Sequence, residues 1–423
     1  MPAMRAPRVA AIAVLAFAGA MQPACSPRQV ESDPVHWTGA DTSGGPTSYE
    51  YIIVGSGAGG GPLAANLARA GHTVLLLEAG DDQGGNINYQ VPAFHTMSTE
   101  DPSMRWDYFV NHYDNAAQAN LDSKMTPQGG VLYPRAGTLG GCTAHNAMIT
   151  VLPHASDWDN IAAITGDDSW SAANMQQYFV RLERNGYLNL LQSSAGHGFS
   201  GWLSTQLTNP SLGLGDNKLL AILDAALLAF VHKDDQTFLD GLLSDLTSLI
   251  PDLTSTLTAD INSASPTRDT TEGLYSIPLA IHGVNRNGSR ERILDTVSQG
   301  FPLTVRLNAL VTRVIFDNNN DANGNLIARG VEFIDAPHQY RADPAAAGTP
   351  DGQKLTVKAT REVILSAGAF NTPQLLKLSG VGPAAELQAL SIDVREDLPG
   401  VGQNLQDRYE VGVVSDAVDN FQA

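Results

Sequence analysis

The chain has 423 residues, 43% of them apolar, enough for two or three folded domains with a sizeable core. Its formal net charge of −19 argues against nucleic acid as a partner and offers no basic surface to anionic lipid. Two cysteines, Cys25 and Cys142, make neither a disulfide framework nor a metal cluster, and no His, Cys or acidic spacing elsewhere suggests a metal site.

In chain order, Arg5 and Arg8 precede the apolar run AAIAVLAFAGAM, which is too short to span a bilayer. Residues 1–25 therefore read as a signal peptide, which implies export to a periplasmic or extracellular location. Cys25 is a candidate for lipid attachment, although Gln22 and Pro23 before it suit that poorly. Residues 26–47, rich in Pro, Ser and Gly, read as a linker. No later stretch reads as a transmembrane helix.

Residues 51–80, YIIVGSGAGGGPLAANLARAGHTVLLLEAG, define a strand, a Gly-rich turn, a helix and a second strand. Gly55, Gly57 and Gly60 form G-x-G-x-x-G, with Ala58 inside it. In this pattern the first Gly makes the tight turn, the second lets backbone approach a pyrophosphate, and the third packs helix on strand. The helix N-terminus adds free N–H groups and a positive dipole end. Glu78, ending the second strand, is expected to accept both hydroxyls of an adenosine ribose, and its charge disfavours a 2′-phosphate.

Residues 81–150 hold long loops, which are costly to order unless they wrap something. Within them, Gly137, Gly140 and Gly141 free the backbone of side-chain bulk beside Arg135, Thr138 and Leu139. Such a loop suits the face of a flat polar ring or a diphosphate. His145 could bond to a cofactor ring, hydrogen-bond it or pack beneath it, and these alternatives stay open. Asn146 could donate a hydrogen bond where negative charge develops on a reduced ring. Cys142 reads as a small buried residue.

Residues 157–185 show helical spacing, with Trp170, Met175 and Phe179 expected to pack and Asp167 and Asp168 to cap. Residues 205–268 read as a helical insertion. Residues 303–317 and 327–335 read as strands. A strand at 361–366 leads through Gly368 to a helix expected to open at Thr372-Pro373. Pairing this strand with those at 51–54 and 73–78 gives the expected fold, α/β with a doubly wound sheet and a second, threaded α+β domain. The expected division is a nucleotide domain at 48–150 and 300–410 and a substrate region at 151–299.

Three segments jointly carry a family resemblance: the Gly55 turn with Glu78, RAGTLGGCTAHNAM (135–148) and GAFNTPQLLKLSGVGP (368–383), with Trp106-Asp107-Tyr108 and GQNLQD (402–407) as lesser landmarks. Together they resemble the glucose–methanol–choline (GMC) family of FAD-dependent oxidoreductases. The resemblance implies FAD as cofactor, its ADP part on Gly55, Gly57, Gly60 and Glu78. It implies backbone contact near adenine at Val311, and a ring bordered by residues 139–147, Ala147 included. It also places His145 where some members bond FAD covalently. The family writes LQDH where this chain has Leu405-Gln406-Asp407-Arg408.

The implied reaction is oxidation of the CH–OH group of a small-molecule alcohol, with hydride passing to flavin N5 and oxygen, a quinone or another carrier as final acceptor. Family members carry the histidine base, and the rest of the substrate domain, in a portion expected beyond Ala423; no residue here fills that role. The alternative is a catalytically inactive flavin-binding fragment or assembly module.

Overall fold

A computed structural model describes residues 48–188, 194–208, 260–273, 275–317 and 320–407, with isolated positions between 218 and 226. The expected signal peptide, the linker, most of the helical insertion, Cys25 and Arg408 lie outside the described residues. The described residues divide into two units, 48–148 with 284–407, and those within 149–283.

The first unit begins with β1 (Ser48–Val54), α1 (Gly60–Arg69) and β2 (Val74–Leu77). β2 reads VLLL and all four side chains are buried, as in a parallel strand covered on both faces. α1 turns only small residues inward, Gly60, Gly61, Ala64, Ala65 and Ala68, which lets its backbone lie close on the sheet.

The second unit carries α2 (Ala155–Thr165), α3 (Ala172–Leu182), β3 (Glu183–Asn185), β4 (Leu203–Gln206) and β5 (Leu279–His282). β3 runs parallel to β4, and β4 antiparallel to β5. The expected cap is made by Asp167, which accepts from Ser169 N at 2.9 Å. Phe179 is buried, but Trp170 is 41% exposed and stacks on Trp158 instead of entering a core. The insertion expected from 205 is preceded by a strand, since Thr205 and Gln206 belong to β4.

His197 anchors this unit. Its Nδ1 lies 2.9 Å from Glu183 Oε2 and its Nε2 lies 2.8 Å from Asp260 Oδ2, with the His197 and Glu183 side chains fully buried. Glu183 also accepts from Thr205 Oγ1 and Gly198 N, so β3, β4 and the 197 turn share one carboxylate.

Back in the first unit, the chain adds α4 (Ser289–Ser298), β6 (Leu303–Arg306), β7 (Ala309–Phe316), β8 (Ala328–Asp335), β9 (Gln353–Leu365) and α5 (Gly368–Leu378). Strand order is β6-β2-β1-β9-β8-β7. β1 is parallel to both β2 and β9, as the sequence led us to expect, although about 300 residues separate them. β9 is long enough to serve twice. Residues 353–358 pair antiparallel with β8, and 358–365 pair parallel with β1.

Alternation along β1 and β2 sends side chains to two cores. Ile53, Val74 and Leu76 pack with Ala64, Ala68 and Ile293 under α1 and α4. Ile52, Val54, Leu75 and Leu77 pack with Val331, Phe333, Val357 and Leu375. The second face is therefore covered mainly by an antiparallel strand layer, with α5 contributing Leu375. Each such aliphatic side chain contributes about 1.5–3 kcal/mol on burial. α4 packs on α1 through this core, so the nucleotide unit resumes at 284 and not at the expected 300.

Candidate functional site

The parallel strands β1, β2 and β9 end together, and the turns leaving them converge, as open α/β sheets require of a ligand crevice. Gly55, at φ +96°, follows β1 and donates to Leu77 O at 2.8 Å. A Cβ on it would lie 2.4 Å from Ser366 O, so the first motif touches, backbone to backbone, the turn that leads from β9 into the third. A Cβ on Gly60 would lie 2.0 Å from Gly55 O, which is the close packing expected of that glycine.

Gly57 behaves differently. An added Cβ there would meet only Gly141 Cα at 3.8 Å, and one on Gly59 would meet nothing within 4 Å. Ala58 and Gly59 are exposed at the start of α1, which has no side-chain cap and no acidic residue in its first turn. An open, uncharged helix N-terminus of this kind accommodates a diphosphate.

Glu78 is 6% exposed. Its Oε2 accepts from Ser56 N at 3.0 Å and Ser56 Oγ at 2.5 Å, and its Oε1 accepts from Gly80 N at 3.0 Å. Ser56 Oγ in turn accepts from Gly140 N at 2.9 Å. Burial raises the Glu78 pKa, opposed by these donors. A carboxylate has about four acceptor sites, and three are used. Glu78 therefore has one acceptor site left for an outside donor, not two for both hydroxyls of a ribose. Ala309 N donates to Glu78 O at 2.9 Å, so β7, which carries the half-buried Val311, starts beside it.

The second motif docks on the first. Gly140 (φ +99°) opens a tight turn at Gly141–Ala144, and a Cβ on Gly141 would lie 2.6 Å from Gly57 Cα. Two residues assigned to the cofactor from sequence face the protein instead. Leu139 is fully buried under α1 and α4, and Thr138, 1% exposed, donates to Asp81 O and accepts from Gln83 N. They hold the loop in place. Cys142 is half-buried, not buried as expected.

His145 is 5% exposed and its Nδ1 has no hydrogen-bond partner. Burial first, then the charges of Arg135 and Arg286, lower its pKa to about 4, so the ring is neutral at pH 7. Arg135 is half-buried on a two-residue ladder with Trp106. Asn146 is exposed and Ala147 half-buried. In the third motif, Gly368 (φ +90°) is exposed with open space at its Cα. α5 begins at Gly368 and carries Pro373 inside it, so the expected opening at Thr372-Pro373 moves four residues earlier. Thr372 Oγ1 accepts from Ala367 N at 3.0 Å and satisfies the start of the helix. Asp407, in the last landmark, accepts from Tyr133 Oη.

Sequence reasoning missed Ser56, Arg286, Ser289 and Arg290. Ser289 Oγ donates to Ser56 O at 2.7 Å and Gly57 O at 3.1 Å, fastening α4 to the Gly-rich turn. Arg290 forks onto Asp82 at 2.5 and 2.9 Å. The available signal was a serine opening a charged helix, SRERIL, with Glu291 accepting from Gly288 N. Among the described residues no group of His, Cys, Asp and Glu is arranged to hold a metal ion, and no helix is long and apolar enough to cross a membrane.

The GMC oxidoreductase profile matches residues 258–410, and an NAD(P)-binding Rossmann-like domain profile matches residues 53–118. Oxidoreductase cicC of Emericella nidulans is 29% identical over 373 residues, covering 86% of this chain and 52% of that protein. Oxygen-dependent choline dehydrogenase of Pectobacterium atrosepticum is 30% identical over 367 residues, covering 86% and 53%. An FAD-dependent oxidoreductase from Chaetomium thermophilum superposes with a TM-score of 0.56 at 25% identity, covering 85% of this chain and 52% of that one. The chain thus spans about half the length of the curated relatives it matches. With the Rossmann-type turn and the converging second and third motifs on the same sheet end, the chain is a relative of the GMC oxidoreductases, and FAD is its cofactor.

Proposed function

We propose that this chain carries the cofactor-binding part of an FAD-dependent oxidoreductase that oxidises the CH–OH group of a small-molecule alcohol. The observation that carries the reading is the convergence of three Gly-rich motifs at the carboxyl ends of β1, β2 and β9, with Gly57, Ala58, Gly59, Asn146 and Gly368 left open. Bound FAD supplies the two-electron acceptor for alcohol oxidation.

In this reading Gly57, Ala58 and the α1 N-terminus hold the diphosphate. Glu78 takes one ribose hydroxyl, and backbone at Val311 meets the adenine. Gly140, Gly141, Asn146 and Ala147 border the ring. A covalent bond through His145 is part of the proposal, supported by its neutral ring and its partnerless Nδ1. Attack would still require the ring to become reachable, because that nitrogen is buried. A histidine is proposed to accept the hydroxyl proton, and none of those among the described residues is assigned to it. Residues 149–283 are proposed to belong to the substrate domain, and the chain is proposed to be exported.

Purified protein incubated with FAD tests the core of this. A yellow chromophore is the expected result, and its anaerobic bleaching on adding an alcohol such as choline would support the CH–OH assignment. Folded protein that takes up no FAD would sink the reading. Bound FAD that no alcohol bleaches would favour the alternative, a catalytically inactive flavin-binding module. Acid denaturation then reports on His145, since only a covalent flavin stays with the polypeptide. Sequencing the mature N-terminus after expression tests export.

A further inference from the structure

Arg286 is 2% exposed, yet none of the described carboxylates lies within ion-pair distance of it and its Nη2 has no acceptor. Its other nitrogens are committed to backbone at Tyr89 and to the 143–146 turn. Nε donates to Tyr89 O at 3.2 Å, and Nη1 reaches Thr143 O at 3.2 Å, Asn146 O at 2.7 Å and Asn146 Oδ1 at 2.8 Å. The Tyr89 ring sits 5.7 Å from the guanidinium carbon. A buried cation without a counter-charge is costly, and truncating it or leaving it unpaired is not neutral. This one is spent on three oxygens of the turn that contains His145 and Asn146.

The Asn146 amide has two poles, and the donors around it decide which faces inward. Arg286 Nη1 and Met148 N, at 3.2 Å, both approach the same side-chain atom. Both are obligate donors, so that atom must be the oxygen. The NH2 pole is turned the other way, and Asn146 is exposed. Met148 contributes further fixation, since it is held at φ +58°, a region a non-glycine residue rarely adopts, while 2% exposed.

We propose that Arg286 is a positioning residue of the flavin site. It pins the oxygen of the Asn146 amide from beneath, so that Asn146 can present only N–H donors to the ring. This rests on the reading above that residues 140–147 border the flavin. It goes further by naming the residue that sets the polarity of that border. A donor aimed at a ring that gains negative charge on reduction favours the reduced state. Arg286 does this through Asn146, without touching the cofactor itself.

The test is a double-variant cycle on the full FAD-loaded chain, read by the reduction potential of the bound flavin and by thermal unfolding. Asn146→Ala is expected to shift the reduction equilibrium against the reduced form by roughly tenfold, the worth of one hydrogen bond to a charged group. Arg286→Lys keeps the charge and loses the fork. It is expected to shift the potential in the same direction in the wild-type background and to have no effect on potential in the Asn146→Ala background. Equal shifts in both backgrounds, or a loss of thermal stability with no change in potential, would overturn the proposal. If Asn146→Ala leaves the potential and the flavin spectrum untouched, the underlying placement of this turn beside the ring has failed as well.

A second comparison needs no Arg286 variant and no flavin. Asn146→Asp supplies the missing counter-charge, so the unloaded Asn146→Asp chain is expected to melt above the unloaded Asn146→Ala chain. No gap at low salt, where the charge pair is least screened, would show that Arg286 does not grip position 146.

Discussion

Gly57→Ala separates ligand binding from folding at the Gly-rich turn. In the unloaded chain the new methyl would meet only Gly141 Cα at 3.8 Å, an ordinary contact, and Gly57 is not in the left-handed region. Replacing Gly by Ala at a compatible backbone position stabilises by about 0.4–1 kcal/mol, through the unfolded state. Unfolding of the FAD-free chain should therefore stay the same or rise slightly. The same methyl occupies the space through which a diphosphate would approach the backbone. Losing one or two charge-assisted hydrogen bonds of about 1.5–3 kcal/mol each weakens FAD binding by roughly 10- to 10,000-fold. Gly60→Ala makes the contrast. Its Cβ would sit 2.0 Å from the backbone oxygen of Gly55, with Ser366 and Ile53 at 3.0 and 3.1 Å, so no flexible side chain can yield. Overpacking of this kind costs about 1–3 kcal/mol, and both stability and FAD affinity should fall. Chemical denaturation of the FAD-free variants and titration of FAD fluorescence measure the two quantities. A Gly57→Ala chain that binds FAD as tightly as wild type would refute the placement of the diphosphate at this turn.

Two further predictions concern buried charge. Burial alone would lower the His197 pKa, but hydrogen bonds and charges from Asp260 and Glu183 raise it to about 9. A raised folded-state pKa stabilises where the group is protonated, so this contribution is complete below the unfolded value of about 6.5. It is lost as pH rises from there through about 9, for a change of about 3 kcal/mol. Tyr187 and Asn185 also face the pair, and Tyr187 titrates only at higher pH. His197→Gln should remove that alkaline slope and cost about 3–5 kcal/mol at pH 6, because the buried Glu183 and the partly buried Asp260 lose their shared cation. Urea unfolding at pH 6 and pH 10 checks this, and an unchanged slope in the variant would refute it. For Glu78→Gln, an amide NH2 is forced against Ser56 or Gly80 donors, which should cost about 1–3 kcal/mol in the FAD-free chain. Equal denaturation midpoints for variant and wild type would show that the Ser56–Glu78 link is not made.

Local chemistry made much of this protein legible from residues alone. Consecutive buried aliphatics in β1 and β2, a glycine at each tight approach and an acid at the strand end are constraints within about thirty residues, so the βαβ unit and its ligand class could be read directly. The second and third motifs were legible as segments for the same reason. Only tertiary structure decided what each residue faces. Thr138 and Leu139 lie in the same Gly-rich stretch as Asn146, yet they point into the protein while Asn146 points out. The difference arises from docking against Asp81 and α1, which no local pattern encodes. Glu78 could be recognised as the acid, but not that Ser56 and Gly80 use most of its acceptor capacity. Arg286 and Ser289 act across 140 and 233 residues of sequence, on Asn146 and on Ser56. Such partners are chosen by chain crossings in space, and a sequence records the participants without recording that they meet.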